Sequence, residues 1–278
     1  MHDVSLLYLP FLRSMTVNKN KIVILVGAGA VENAWEPILN CFRPINVHET
    51  DADTANFLFA KSICAMRLYS KSPKGAIQLK EEQELVKNMK DVICDSLKLA
   101  QQKGILKPRK EFTAILDKFV LSNTNNLFGF VTTNWDTVID VEADRWVKEK
   151  YYDIAKAQIF HIHGSIATQK QLYLPSETSM ENYRSDEDNY KLGYNHFTTY
   201  QFLSEANSII LYGLSLDPLD AELSLLLNGA LKQSKTIREI IIVNPKYSLV
   251  RKRIKILLFP RIDVVIRCFD PENLEIEL

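Results

Sequence analysis

The chain has 278 residues, and its 34 Lys and Arg balance 34 Asp and Glu, so the formal net charge is zero. That balance excludes a general electrostatic affinity for nucleic acid or for an anionic membrane surface. The four scattered cysteines (Cys41, Cys64, Cys94, Cys268) form no C-x-x-C pair, which excludes a zinc ribbon and argues against a disulfide scaffold.

Residues 1–20 show no distinct pattern beyond a short helix or an arm. MHDVSLLYLPFLRS is too short and too broken for a signal peptide, and no apolar run approaches membrane-spanning length. A soluble, cytoplasmic protein is therefore expected. Lys21–Val26 is an uninterrupted apolar strand of the kind buried in parallel sheets. Gly27-Ala28-Gly29-Ala30 ends it, and a helix is predicted over Trp35 to Phe42. Glycines after a first strand let the backbone approach a phosphate near a helix N-terminus. The third glycine of the dinucleotide fingerprint is missing, because Glu32 stands there. A tight structural turn accounts for the pair equally well.

From Asp51 to Asn126 the spacing becomes helical. Leu85, Met89, Val92, Ile93, Leu97 and Ala100 make one stripe, and Phe112, Ile115, Leu116, Phe119 and Val120 make another. Both read as core faces, and the block reads as a strand-free helical insertion. His48, Glu49, Asp51 and Asp53 read as a loop running into a helix start rather than as a metal site.

Leu127–Asp140, LFGFVTTNWDTVID, holds a strand from Phe128 to Thr132, a break at Thr133-Asn134-Trp135-Asp136, and a helix from Thr137 to Val147. Asn134 or Asp136 suits a helix cap as well as a site. A strand over Ala157–Ile162 ends at His163-Gly164. His161 and His163, two apart, share a face if both lie on a strand, but without a cysteine or carboxylate ligand beside them no metal is expected. Ala167 to Asn195 is polar and tyrosine-rich. It is predicted as a short strand at Leu172–Leu174, a helix and exposed loops, forming a lid or a partner surface.

Ser208–Tyr212 is the next strand, and Asp217-Pro218 supplies a cap with proline at the first helical position. Ile237–Val243 and Ile262–Arg267 complete the strands, with Asn244-Pro245 repeating the cap between them. The basic stretch from Lys246 to Arg267 reads as the solvated face of a helix and a strand edge. Strand–helix alternation predicts an α/β fold, a Rossmann-like doubly wound parallel sheet with an inserted helical module. The whole is a single domain, with its core at 21–50 and 127–268 and the insertion at 51–126.

Five strands thus deliver small or polar residues at their exits, and in one parallel sheet those exits converge on one crevice. Taken in order, they resemble the sirtuin family and, more closely, its zinc-free bacterial sirtuin-like branch. The matching stretches are a GAG turn at Gly27-Ala28-Gly29, a T-x-N-x-D loop at Thr133-Asn134-Trp135-Asp136, His163-Gly164, Gly213-Leu214-Ser215-Leu216, and Val243-Asn244. The resemblance implies an NAD-binding site with Gly27, Ala28 and Gly29 at the pyrophosphate and Ser215 and Asn244 on the adenosine side. It implies further that Asp136 holds the nicotinamide carboxamide, with Thr133 and Gly213 beside the ligand. Asn134 would orient the nicotinamide ribose or a water, and His163 would be the general base. Those residue types suit cleavage of the nicotinamide–ribose bond, which needs a fixed dipole and a base of near-neutral pKa.

The sequence departs from the deacylase members. It cannot build their zinc ribbon, and Val31 to Pro37 replaces their G-I-P-D-F-R run, so protein deacylation is not expected. The zinc-free branch implies an NAD+ glycohydrolase that depletes NAD in anti-phage defence. It would act as a homo-oligomer or beside a partner such as an ATPase or an Argonaute-like protein. The alternatives are a zinc-free deacylase or ADP-ribosyltransferase, and a non-catalytic subunit that senses NAD or ADP-ribose.

Overall fold

A computed structural model describes residues 20–42, 51–121, 126–151, 156–168 and 171–278. The arm expected over residues 1–20 lies outside them apart from Asn20, as do His48 and Glu49.

The first strand, β1 (Lys21–Val26), is followed by a single 3-10 turn (Ala28–Ala30), the two-residue β2 (Val31–Glu32) and a short α1 (Glu36–Asn40). Three longer helices come next, α2 (Ala52–Tyr69), α3 (Ala76–Gln102) and α4 (Glu111–Phe119), with β3 (Lys107–Pro108) between the last two. The chain then alternates through β4 (Leu127–Thr132), α5 (Val138–Lys150), β5 (Ile159–His161), α6 (Asp186–Ser204), β6 (Ser208–Tyr212), α7 (Ala221–Gln233), β7 (Glu239–Val243), α8 (Tyr247–Leu258) and β8 (Val265–Asp270). It closes with β9 (Asn273–Glu277).

All of these strands but β2 and β3 form one sheet in the order β5-β4-β1-β6-β7-β8-β9, parallel except for the antiparallel β9. Ile24 of β1 stands beside Phe130 of β4 and Ile210 of β6. Since β1 is apolar from Ile22 to Val26, it buries both faces. Ile22, Ile24 and Val26 join a cluster with Phe59 and Ile63 of α2, Phe112 of α4 and Trp146 of α5. Val23 and Leu25 join Leu203 of α6, Leu227 of α7 and Ile254 of α8 on the other face. The α/β doubly wound sheet is therefore present, with the helical insertion covering one face.

Several expectations are corrected. The insertion is not strand-free: β2 and β3 pair antiparallel, Val31 with Pro108 and Glu32 with Lys107, and bind the insertion's far end to the turn after β1. The last parallel strand runs three residues further than expected, and β9 covers its edge. The proline caps also lie outside their helices. Asp220 caps α7 by accepting from Leu223 N, and α8 begins at Tyr247. In both cases the proline stands in the approach to the helix, where its fixed φ serves a turn equally well.

The stretch expected as a lid is pinned instead. Leu172 bridges to Gly164, and Leu172 and Leu174 are buried. The buried Glu177 carboxylate accepts from Lys90 Nζ of α3 at 2.6 Å, Arg184 Nη2 at 2.9 Å and Leu174 N at 2.6 Å. Glu181 takes Arg67 of α2 and Thr178 N. Buried carboxylates with this many donors fix a segment rather than hinge it. The basic stretch is likewise more than a solvated face, since Arg253 donates to Ser215 O and Leu216 O, and Arg261 to Leu231 O and Ser234 O. Asp51 does cap α2, accepting from Thr54 N at 2.8 Å.

Candidate functional site

A cavity of about 910 Å³ opens where the parallel strands end. The strand order places the exits in a row: His163 past β5, Asn134 and Asp136 past β4, Gly29 past β1, Gly213 past β6, Asn244 past β7 and Asp270 at the end of β8. The chain leaves β1 towards β4 on one side and leaves the adjacent β6 towards β7 on the other, and a crevice opens at that reversal.

At one end, the backbone of Asn134 is held at both its N–H and its carbonyl. Its N–H donates to Thr132 Oγ1 at 3.0 Å, its carbonyl lies 2.9 Å from His161 Nδ1, and His161 Nε2 lies 3.0 Å from Asp140 Oδ1. Both nitrogens of His161 are thus committed to holding the loop. His161 ends β5, whereas His163 lies in the following turn and lines the cavity, so the two do not share a face. Asn134 is 5 % exposed, and among the described residues neither its amide nitrogen nor its oxygen has a partner. An amide left unpaired in the interior costs free energy that a bound polar group recovers. Asp136 behaves differently: its Oδ1 accepts Val138 N at 3.0 Å at the start of α5, and burial pushes its carboxyl pKa up. Asp136 thus spends one carboxylate oxygen on a turn just ahead of α5, whose N-cap is Thr137, while the Asn134 amide is unspent.

His163 is 2 % exposed, and its Nε2 lies 2.9 Å from Asp220 Oδ2. Asp220 is fixed in turn by its cap bond from Leu223 N. Burial disfavours the imidazolium, but Asp220, with Glu222 and Glu177 behind it, more than offsets this and raises the histidine pKa. Burial likewise raises the carboxyl pKa of Asp220, and the charge of His163 overcomes it, leaving that pKa below the usual carboxylate value. The carboxylate holds the ring hydrogen on Nε2, so the neutral ring carries its lone pair on Nδ1. Among the described residues no group bonds that atom. Such a dyad orients a base.

In the middle, the glycines serve the contact between two turns. Gly27 N donates to Tyr212 O and Gly29 N to Gly213 O, both at 2.9 Å. Gly213 has φ +65°, and a Cβ there would stand 2.5 Å from Ala30 N. Only glycine allows this approach. Ala28, Gly29 and Gly213 line the cavity together with Thr133, while Gly27 lies behind its wall. Only one 3-10 turn follows the glycines, so no α-helix N-terminus faces the crevice there.

Towards the far end, Ser215 is exposed and Asn244 is a brace. Asn244 Nδ2 donates to Leu214 O at 2.7 Å, and its Oδ1 accepts Lys246 N at 2.8 Å. One amide hydrogen and one lone pair of Asn244 remain for a ligand. Among the described residues no group of three or more histidines, cysteines or carboxylates is placed to hold a metal ion.

The sequence reading missed Asp220, Arg109 and Tyr212, all on the cavity wall. Asp220 was hidden behind the stronger cap signal of Asp217-Pro218. Arg109 comes from the insertion, 80 residues from the Gly29 carbonyl that its Nε bonds at 3.0 Å. No local pattern reports such a contact. Tyr212 reads from sequence as one more apolar strand residue.

No protein-family model matches this chain, and no curated protein matches it. Among solved structures it is similar to one described as "Structural Basis for the Mechanism and Regulation of Sir2 Enzymes", with a TM-score of 0.35 and 12 % identity. That match covers 84 % of this chain and 84 % of the other. At this level of likeness the geometry of the site has to carry the functional conclusion.

Proposed function

We propose that this chain is an NAD+ glycohydrolase, converting NAD+ and water to nicotinamide, ADP-ribose and a proton. The observation that carries the proposal is the buried, unpartnered amide of Asn134 beside the His163–Asp220 pair, at the end of a crevice of the right length. From β4 to β8 is four strand spacings, about 19 Å, which suits an extended dinucleotide.

In this reading, Asn134 holds a hydroxyl of the nicotinamide ribose with its amide oxygen and the attacking water with its amide hydrogens, or the reverse. Asp136 uses the oxygen not bonded to Val138 to accept from the carboxamide. The bond between ribose C1 and the nicotinamide nitrogen breaks with its electron pair going to the ring, which leaves neutral. Water adds to C1 and loses its proton to His163 Nδ1. Asp220 is a positioning residue, touching the histidine and not the substrate. Fixed dipoles of the wall support the positive charge as it moves from the nicotinamide ring to the ribose.

The motifs shared with the zinc-free sirtuin-like branch supply the setting: depletion of cytoplasmic NAD in anti-phage defence, by a homo-oligomer or beside a partner such as an ATPase or an Argonaute-like chain. The test is nicotinamide release from NAD+ by the purified protein, alone and over a range of concentrations. His163→Ala and Asn134→Ala are each expected to lower release by at least a hundredfold while melting as wild type does. Full release in either variant refutes the mechanism. Tight binding of NAD+ with no release at any concentration favours the sensing subunit instead, and release that depends on an acyl-peptide acceptor favours a transferase.

A further inference from the structure

Resting on the dinucleotide reading above, we propose that Arg109 binds the phosphate charge at the middle of the crevice, which makes the helical insertion a working part of the site. The cavity wall is rich in carboxylates, among them Glu36, Asp53, Glu111, Asp270 and Glu272. An anion entering it needs a cation. Among the described residues, the Lys and Arg side chains on that wall are Arg109 and Lys246. Lys246 follows β7, at the far end of the row, whereas Arg109 stands at the exit of β1, halfway along.

Its position there is fixed. Arg109 N donates to Ala30 O at 2.9 Å, and Arg109 Nε donates to Gly29 O at 3.0 Å. The β2–β3 ribbon brings it to that point. Among the described residues, Nη1 and Nη2 bond no protein group. A guanidinium tethered through Nε, with two nitrogens unspent, is preorganised for a bidentate contact with phosphate oxygens.

A second observation points the same way. Tyr212, 2 % exposed and stacked on Phe112 at 6.3 Å, lines the same stretch, and among the described residues its hydroxyl has no partner. Burial raises its pKa, so at neutral pH it is a hydrogen-bond donor. A guanidinium and an unpaired hydroxyl at the midpoint match the part of a dinucleotide that bears the pyrophosphate. The ends of the crevice carry the groups suited to its sugars and bases.

The test compares binding of ADP-ribose, ADP and adenosine by NMR titration, without reference to turnover. Arg109→Ala is expected to weaken ADP-ribose and ADP by about ten- to a hundredfold and leave adenosine unchanged. Arg109→Lys is expected to fall between, because the charge stays and the bidentate geometry is lost. Lys107→Ala, which removes a nearby exposed charge off the wall, is expected to bind all three as wild type does. Equal affinity for ADP in wild type and Arg109→Ala overturns the assignment, as does an equal loss for adenosine. Wild-type protein that binds none of the three refutes the dinucleotide reading itself, which is a separate failure.

Discussion

The contrast between His161 and His163 shows how little residue type decides by itself. Two histidines two positions apart meet different surroundings, and the one with both nitrogens bonded holds a loop while the other keeps an atom for chemistry. Asp220 makes the second role testable. Its removal leaves the imidazole without the charge that raised its pKa and without the acceptor that fixed its tautomer. In Asp220→Asn, kcat/KM for NAD+ is expected to fall about ten- to a hundredfold, with its rising limb displaced to lower pH. A purely structural role would lower the rate and leave the limb where it was. The same pair links stability to pH. The contribution of His163, whose pKa is raised above 6.5, is fully present below that value and is lost as pH rises through the folded-state value. That of Asp220, whose pKa is lowered below 3.8, is present above 3.8 and is lost as pH falls through its folded-state value. Melting curves of wild type and Asp220→Asn should therefore differ most between about pH 4 and 6.5.

At the scale of elements, two devices hold the site: the glycine contact between the turns after β1 and β6, and the carboxylates that pin residues 172–189 to the insertion. Gly213→Ala places a side chain where φ is +65° and backbone lies 2.5 Å away, so a loss of about 1–3 kcal/mol is expected in denaturant titration. Gly193→Ala is the control. It lies in α6, where a Cβ would find only Ser179 Cβ at 4.0 Å, and it is expected to be neutral or slightly stabilising. Glu177→Gln leaves Lys90 and Arg184 without their common carboxylate, and a loss of about 3–5 kcal/mol is expected in the same measurement. The sheet was legible because β1, β6 and β7 are apolar on both faces and each ends in turn residues. The pinned segment was not, because polarity and tyrosines describe an exposed loop and a buried ion network equally well. Nor was the β2–β3 ribbon, whose two-residue strands are too short for any period to register.

For the molecule as a whole, the row of exits was readable from strand order, and the charges along it were not. Asn134 and His163 lie on the cavity wall just past β4 and β5, positions that strand order alone lets the sequence indicate. Arg109 and Asp220 are bonded to partners 80 and 57 residues away in the chain, which no local pattern reports. The same topology governs how the protein reaches its final state. The pairs β6–β7 and β7–β8 join partners 31 and 26 positions apart, across one helix each. By contrast β1, the strand on which every part of the crevice depends, pairs Lys21 with Leu127 and Ile22 with Ser208, at separations of 106 and 186. Closing the longer loops costs only about 1–2 kcal/mol more, enough to order the steps without blocking them. Pulse-labelled amide exchange during refolding should protect β6, β7 and β8 before β1. Until that strand inserts, the exits of β4 and β6 have nothing between them, so the crevice takes shape only at the end of folding. A ligand added during refolding can recruit only molecules that have finished.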